Sequence, residues 1–287
     1  MTETYPSFSD QIEANKGAEI VPDATTTLEI PANSRLTIRS RGCFVTDYSV
    51  IDKLSGETIK LLYSDPDLTT GKLTASHVMS PVGPSEGIGG QHGFPRWADY
   101  QQYPQADGPD GDKRTTFQAK RSDLGLGVSK IFELGRDHLT TETTMVNSES
   151  TDALTSLGEH LYFTLDDEVV DGLRVNGQSL DQLLGPGTEA AVMSGQAYFW
   201  PTPTNPVEIE FPSGHSLTLQ AELSSKQPTT LGMLIWHRPG SPSICFEPTA
   251  GFNSSQHNTE LAIGPHQSIT LTTRIELLGV DARPHES

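Results

Sequence analysis

Three short stretches of the sequence combine residue types that move protons or hold hydroxyl groups. Gln91-His92-Gly93-Phe94-Pro95-Arg96-Trp97 brings an imidazole, a guanidinium and two aromatic rings together in one loop-like segment. Aromatic faces and charged hydrogen-bonding groups of this kind suit a polyol ligand. In Ser156-Leu157-Gly158-Glu159-His160-Leu161-Tyr162-Phe163 a histidine sits inside a strand pattern. The side-chain period of two puts Gly158, His160 and Tyr162 on one face, and Glu159, Leu161 and Phe163 on the other. In Ile244-Cys245-Phe246-Glu247-Pro248 an apolar run ends on a carboxylate followed at once by proline. Proline cannot donate to a sheet ladder, so the strand is expected to stop or bulge there. Flanked by Phe246 and Phe252, the Glu247 carboxyl would be partly desolvated. That raises its pKa and makes it a better base near neutrality. Taken singly, each stretch also has an ordinary reading: a turn with a buried Phe and a surface Arg, a half-buried strand histidine, a strand-ending surface glutamate.

Several other chemistries have no footing. The sequence contains no G-x-S-x-G elbow, no G-x-x-x-x-G-K-[ST] loop and no H-E-x-x-H pair. Gly125-Leu126-Gly127 lacks the third glycine of a dinucleotide fingerprint and reads as a bend between strands. The nine histidines are dispersed, without zinc-finger spacing to the two cysteines. Cys43 and Cys245 are expected to be buried and reduced. The spacing calls for no metal and no cofactor, and leaves open a metal site assembled only in three dimensions. A formal net charge of −18 repels phosphate backbones and anionic lipid, which speaks against nucleic-acid or membrane partners. No apolar run is long enough to span a bilayer, and the polar, acidic N-terminus does not resemble a signal peptide, so the expected location is cytoplasmic.

The elements that must position these residues read as strands. Short runs rich in Val, Ile, Thr, Phe and Tyr are cut by Gly, Pro, Asn and Asp from about Thr25 onward. Leu217, Leu219, Ala221 and Leu223 alternate with polar neighbours, as do Ile269, Leu271, Thr273, Ile275 and Leu277. Leu180–Leu184 could form one helical turn, and no window carries a longer helical stripe. Met79–Gly90 and Gln101–Asp112 read as loops. The pattern predicts an all-β chain: a polar lead-in over 1–25, one large antiparallel sandwich over 26–280 and a tail over 281–287.

Together, H-G-F-x-R at His92–Arg96, G-x-H-x-Y-F at Gly158–Phe163 and C-x-E-P at Cys245–Pro248 resemble, in order, the aldose 1-epimerase (galactose mutarotase-like) superfamily. They are most similar to its branch containing glucose-6-phosphate 1-epimerases. The resemblance implies a large antiparallel β-supersandwich and a cofactor-independent isomerase that interconverts the α and β anomers of a hexose or hexose 6-phosphate. Ring opening needs a base at the anomeric hydroxyl and an acid at the ring oxygen, on opposite sides of the anomeric centre. By the resemblance, Glu247 is the base and His160 the acid, and His92 hydrogen-bonds near the ring oxygen. Arg96 grips a hydroxyl or a phosphate, and Phe94, Trp97 and Tyr162 complete the substrate-binding set. The implied partner is a small sugar or sugar phosphate, bound by a monomer or homodimer. The family's sugar-orienting aspartate has no clear counterpart; Asp166, Asp167 and Asp171 follow the second motif. Arg114, Arg121 and Arg238 are the remaining candidates for a phosphate. The competing reading is a non-catalytic carbohydrate-binding module on the same fold, since fold does not fix function.

Overall fold

A computed structural model of the chain describes residues 24–52, 55–66, 68, 75–84, 90–108, 111–121, 125–165, 170–225, 229, 231–254 and 257–278. The expected tail over 281–287, Asp166 and Asp167 lie outside the described residues. So does the expected lead-in over 1–25, apart from its last two residues.

Among the described residues, two nine-stranded antiparallel sheets dominate. The first runs β1 (Thr25–Ile30), β2 (Ser34–Arg39), β3 (Phe44–Ile51), β4 (Thr58–Leu62), β12 (Leu157–Thr164), β18 (Ser243–Ala250), β17 (Leu231–His237) and β14 (Tyr198–Trp200), with β5 (His77–Met79) also paired to β12. The second runs β13 (Arg174–Val175), β15 (Val207–Glu210), β16 (Ser216–Ser224), β20 (Ser268–Leu278), β10 (His138–Asn147), β9 (Leu126–Leu134), β8 (Lys113–Arg121) and β6 (Gln101–Gln102). There β7 (Ala106–Asp107) pairs with β8. A two-stranded ribbon joins β11 (Ala153–Thr155) to β19 (Leu261–Ile263). The alternation seen in sequence is the alternation in space: β10 is buried at every second residue, and Leu217, Leu219, Ile269, Leu271 and Ile275 enter one core with Leu36, Ile38, Phe163 and Phe246. Burial of such faces is what drives two sheets together, at about 25 cal/mol per Å² of apolar surface.

The expected helical turn is α1 (Leu180–Leu184), held by a capping box between Ser179 and Gln182. A second short helix, α2 (Thr188–Met193), was not foreseen. The segment 101–112, expected as loop, carries the two short strands β6 and β7.

One expectation is corrected at a telling place. Strand β18 does not stop at Glu247-Pro248 but continues to Ala250, with Pro248 in register against Met233 of β17. The accommodation lies on the other side. The β12–β18 ladder pairs Leu157 with Ala250 and Gly158 with Thr249, then resumes at Leu161 with Phe246. Between them, Glu159 and His160 face Pro248 and Glu247 across an interrupted ladder. The interruption falls where proline has no N–H to offer.

Candidate active site

The site is a row of residues drawn across the first sheet. His160 of β12 is the register partner of His77 on β5, and on its other side it meets Glu247 of β18 across the interruption. Glu247 in turn pairs with Leu234 of β17. Tyr162 and Trp236 continue the same face, their rings edge to face at 6.3 Å. Glu159 points the opposite way, to Lys130 and Thr143 of the second sheet. His160 therefore projects from the outer face of the first sheet, away from the sandwich interior.

A loop covers that face. Ser80 N–H donates to the His92 carbonyl at 3.0 Å, and His92 N–H donates to the Gly83 carbonyl at 2.8 Å. Then come Gly93 and a single 3₁₀ turn, Phe94–Arg96. Two consecutive residues take left-handed conformations, His92 at φ 65° and Gly93 at φ 71°. Glycine is required at the second, because a Cβ would collide with the Ser80 carbonyl. A histidine held in the left-handed region carries strain of the order of 1–3 kcal/mol, tolerated where the surroundings over-determine it. Here they do: besides the two backbone bonds, Gly83 N–H donates to His92 Nδ1 at 3.1 Å. That bond makes Nδ1 an acceptor, which puts the proton of the neutral ring on Nε2, 3.1 Å from the Gln91 side-chain amide.

Three imidazoles thus converge. Ring centroids are 4.9 Å apart for His77 and His160, 5.3 Å for His92 and His160, and 5.5 Å for His77 and His92. Burial holds all three in the neutral form, and the Arg96 guanidinium adds to the effect. For His92 the pKa falls to about 3. His160 Nδ1 lies 3.3 Å from Glu247 Oε1, close but not aligned as a hydrogen bond. Its Nε2 lies 3.1 Å from the Tyr162 hydroxyl, with the two rings stacked at 4.2 Å. Burial pushes the Glu247 carboxyl up to about 8, against the pull of Arg96. The desolvation has a visible source: Leu234, the cross-strand partner of Glu247, belongs to an apolar cluster with Met79, Val82, Phe199 and Phe252. Phe246, by contrast, faces the main core.

The structure therefore brings His92, Arg96, His160, Tyr162 and Glu247 together. Trp97 sits at the rim, 36% exposed, with the Arg96 guanidinium 5.0 Å from its ring centroid. Phe94 is buried in the main core. Asp171 lies in an exposed turn. Arg238 is ion-paired to Asp65 at 3.0 Å, and Arg114 lies 3.4 Å from Glu133 and 3.8 Å from Glu142. Sequence patterns missed His77. Its Nδ1 is 2.6 Å from the Ala75 carbonyl, so it donates there, and the bare Nε2 is a buried acceptor without a hydrogen-bond partner among the described residues. A three-residue strand is too short for period-two alternation to reveal which way His77 points. Cys245 also approaches the pair: its sulfur, His160 and Glu247 place potential ligand atoms within 4.8 Å of one another. Burial raises the Cys245 thiol well above its ordinary pKa, with the neighbouring Glu247 adding to the effect.

No protein-family model matches the chain, and no curated protein matches it by sequence. Solved structures do match in shape. A protein from Synechocystis sp. PCC 6803 superposes with a TM-score of 0.67 at 17% identity, covering 92% of this chain and 98% of its own. A galactose mutarotase-like protein from Lactobacillus casei ATCC 334 gives 0.63 at 18% identity, covering 89% and 100%. The fold is galactose mutarotase-like. A GalM/aldose epimerase homologue from C. elegans agrees, at 0.62 and 13% identity over 89% of this chain and 99% of its own. In this galactose mutarotase-like sandwich the polar cluster sits on the outer face of the first sheet, beneath the loop that carries His92 and Arg96.

Proposed function

We propose that the chain is an aldose 1-epimerase that interconverts the anomers of a hexose by acid–base ring opening. The observation that carries the proposal is the contact of Glu247 with His160, 3.3 Å apart on one buried sheet face. The anomeric hydroxyl and the ring oxygen of an aldose are bonded to the same carbon. The two groups were expected on opposite sides of the anomeric centre, whereas the 3.3 Å contact sets them side by side; because both oxygens share one carbon, an adjacent base and acid can still reach both.

The pair works with one proton. Burial favours resting that proton on Glu247, with His160 neutral. Its transfer across the short separation makes a carboxylate, stabilised by Arg96, and an imidazolium, supported by the Tyr162 hydroxyl. The carboxylate takes the proton of the anomeric hydroxyl while the imidazolium protonates the ring oxygen, and the C1–O5 bond breaks. Rotation about C1–C2 and the reverse transfers close the ring on its other face and return the pair to its starting state. His92 Nε2–H donates toward the ring oxygen, and the fully buried His77 packs against the His92 and His160 rings. Arg96 holds a further hydroxyl in its planar fork, and Trp97 and Trp236 supply apolar rim. The ion pairs that engage Arg114 and Arg238 favour a free hexose over its 6-phosphate.

Polarimetry or NMR of α/β interconversion over free and 6-phosphorylated hexoses tests this. Acceleration over the spontaneous reaction, lost in Glu247→Gln, is the expected result. Tight binding without acceleration would replace the epimerase with a carbohydrate-binding module.

A further inference from the structure

Beneath the candidate site lies a second polar assembly that the proposed reaction does not use. Lys130 Nζ is 2.5 Å from Glu159 Oε2, with the two side chains 1% and 0% exposed. Thr143 donates its hydroxyl to the other Glu159 oxygen. Lys130 on β9 and Thr143 on β10 are direct cross-strand neighbours in the second sheet, whereas Glu159 belongs to β12 of the first. The assembly therefore ties the two sheets together through the sandwich core. Lys130 Nζ also lies 5.0 Å from the Phe132 ring centroid, so the ammonium is packed on apolar and aromatic surface.

A buried ion pair is an expensive way to join two sheets. Desolvation of both charges offsets much of their attraction, and apolar residues of similar volume often stabilise as well or better. The location suggests another purpose. Glu159 precedes His160 directly, and these two residues are the ones left opposite the interruption in the β12–β18 ladder. On that side the backbone of β12 has no ladder pairing to fix it, at the residue that must meet Glu247 within about 3 Å. We infer that Glu159, clamped by Lys130 and Thr143, is a positioning residue that sets the height and direction of His160 relative to Glu247. The inference rests on the epimerase reading for its kinetic consequence, but its structural content does not.

The partners act as a unit. Removing one charge strands the other in the core, so single deletions confuse positioning with stability. The discriminating variant is Lys130→Met combined with Glu159→Met, which fills the volume and leaves no buried charge. Its melting temperature is expected to match or exceed that of the wild type. Its kcat for anomer interconversion is expected to fall at least tenfold with KM nearly unchanged, because a small misplacement of reacting groups costs up to about a hundredfold. The imidazole ¹⁵N shifts and tautomer balance of His160 are expected to change as well. This second readout needs no turnover, so it separates failure of the clamp from failure of the epimerase assignment. A folded double variant with wild-type kcat, or with unaltered His160 signals should the wild type prove inert, would overturn the inference. If the double variant does not fold, Thr143→Val, which removes one clamping contact and no charge, is read by the same signals and the same criteria.

Discussion

Glu247→Gln should trade activity for alkaline stability. The sign follows from burial. A carboxyl whose pKa rises on folding, from 4.5 to about 8, binds its proton more tightly in the folded chain than in the unfolded one. Its contribution is fully present below the unfolded value and is lost as pH rises toward the folded value. Across that window each pH unit removes about 1.4 kcal/mol, so the cumulative loss approaches about 5 kcal/mol by pH 8. Glutamine stays neutral throughout and loses nothing. For a chain of this size about 2 °C accompanies each kcal/mol, which places the variant up to about 10 °C above the wild type at pH 8. At pH 4 the two should nearly coincide. His92, whose folded pKa is depressed to about 3, costs stability as pH falls through 6.5 and below. It does so equally in both proteins and cancels in the difference. Thermal melts of the two proteins from pH 4 to 9 measure this directly. Parallel curves, with a constant gap or none, would refute the claim that Glu247 is a buried proton carrier.

Three further outcomes follow from the same geometry. The mutarotation rate should stay level through neutral pH and fall above about pH 8, where the Glu247–His160 pair gives up its single proton; a rate profile at saturating sugar checks this. Arg96→Lys should raise KM roughly tenfold, since an ammonium cannot reproduce the planar fork, and initial-rate kinetics would detect it. Gly93→Ala should destabilise by at least about 2 kcal/mol in denaturant unfolding, because it forces a Cβ into the left-handed region against the Ser80 carbonyl.

Much of the sandwich was legible because period-two alternation is a local property. The strand at Ser268–Leu278 was legible in the alternation of Ile269, Leu271, Thr273 and Ile275, since burial follows every second side chain there. The short strands at Ala153–Thr155, Tyr198–Trp200 and Leu261–Ile263 gave too few residues to show a period. Pro248 misled in an instructive way. A proline does interrupt pairing, but here the interruption falls between β12 and β18, while Pro248 stays in register with β17. The motif residues His92, Arg96, His160, Tyr162 and Glu247 could be named because family-like order ties them together. What could not be read was long-range. His77 joins the cluster only because β5 docks against β12. Lys130 and Glu159 carry no local mark of pairing, and only the sheet-to-sheet packing makes them neighbours. Phe94 looked like a ligand-facing ring, yet the 3₁₀ turn directs it into the main core.

The central claim is that Glu247 and His160 form one proton-transferring pair. Exchange NMR on an equilibrated mixture of glucose and galactose anomers, with wild type, Glu247→Gln and the combined Glu247→Gln, His160→Gln protein, tests it most directly. The account predicts enzyme-dependent exchange for the wild type and a loss of about a hundredfold or more in the single variant. It predicts little further loss in the double, because residues that act as a unit are not additive. Exchange in Glu247→Gln at the wild-type rate, with the fold intact, would contradict it.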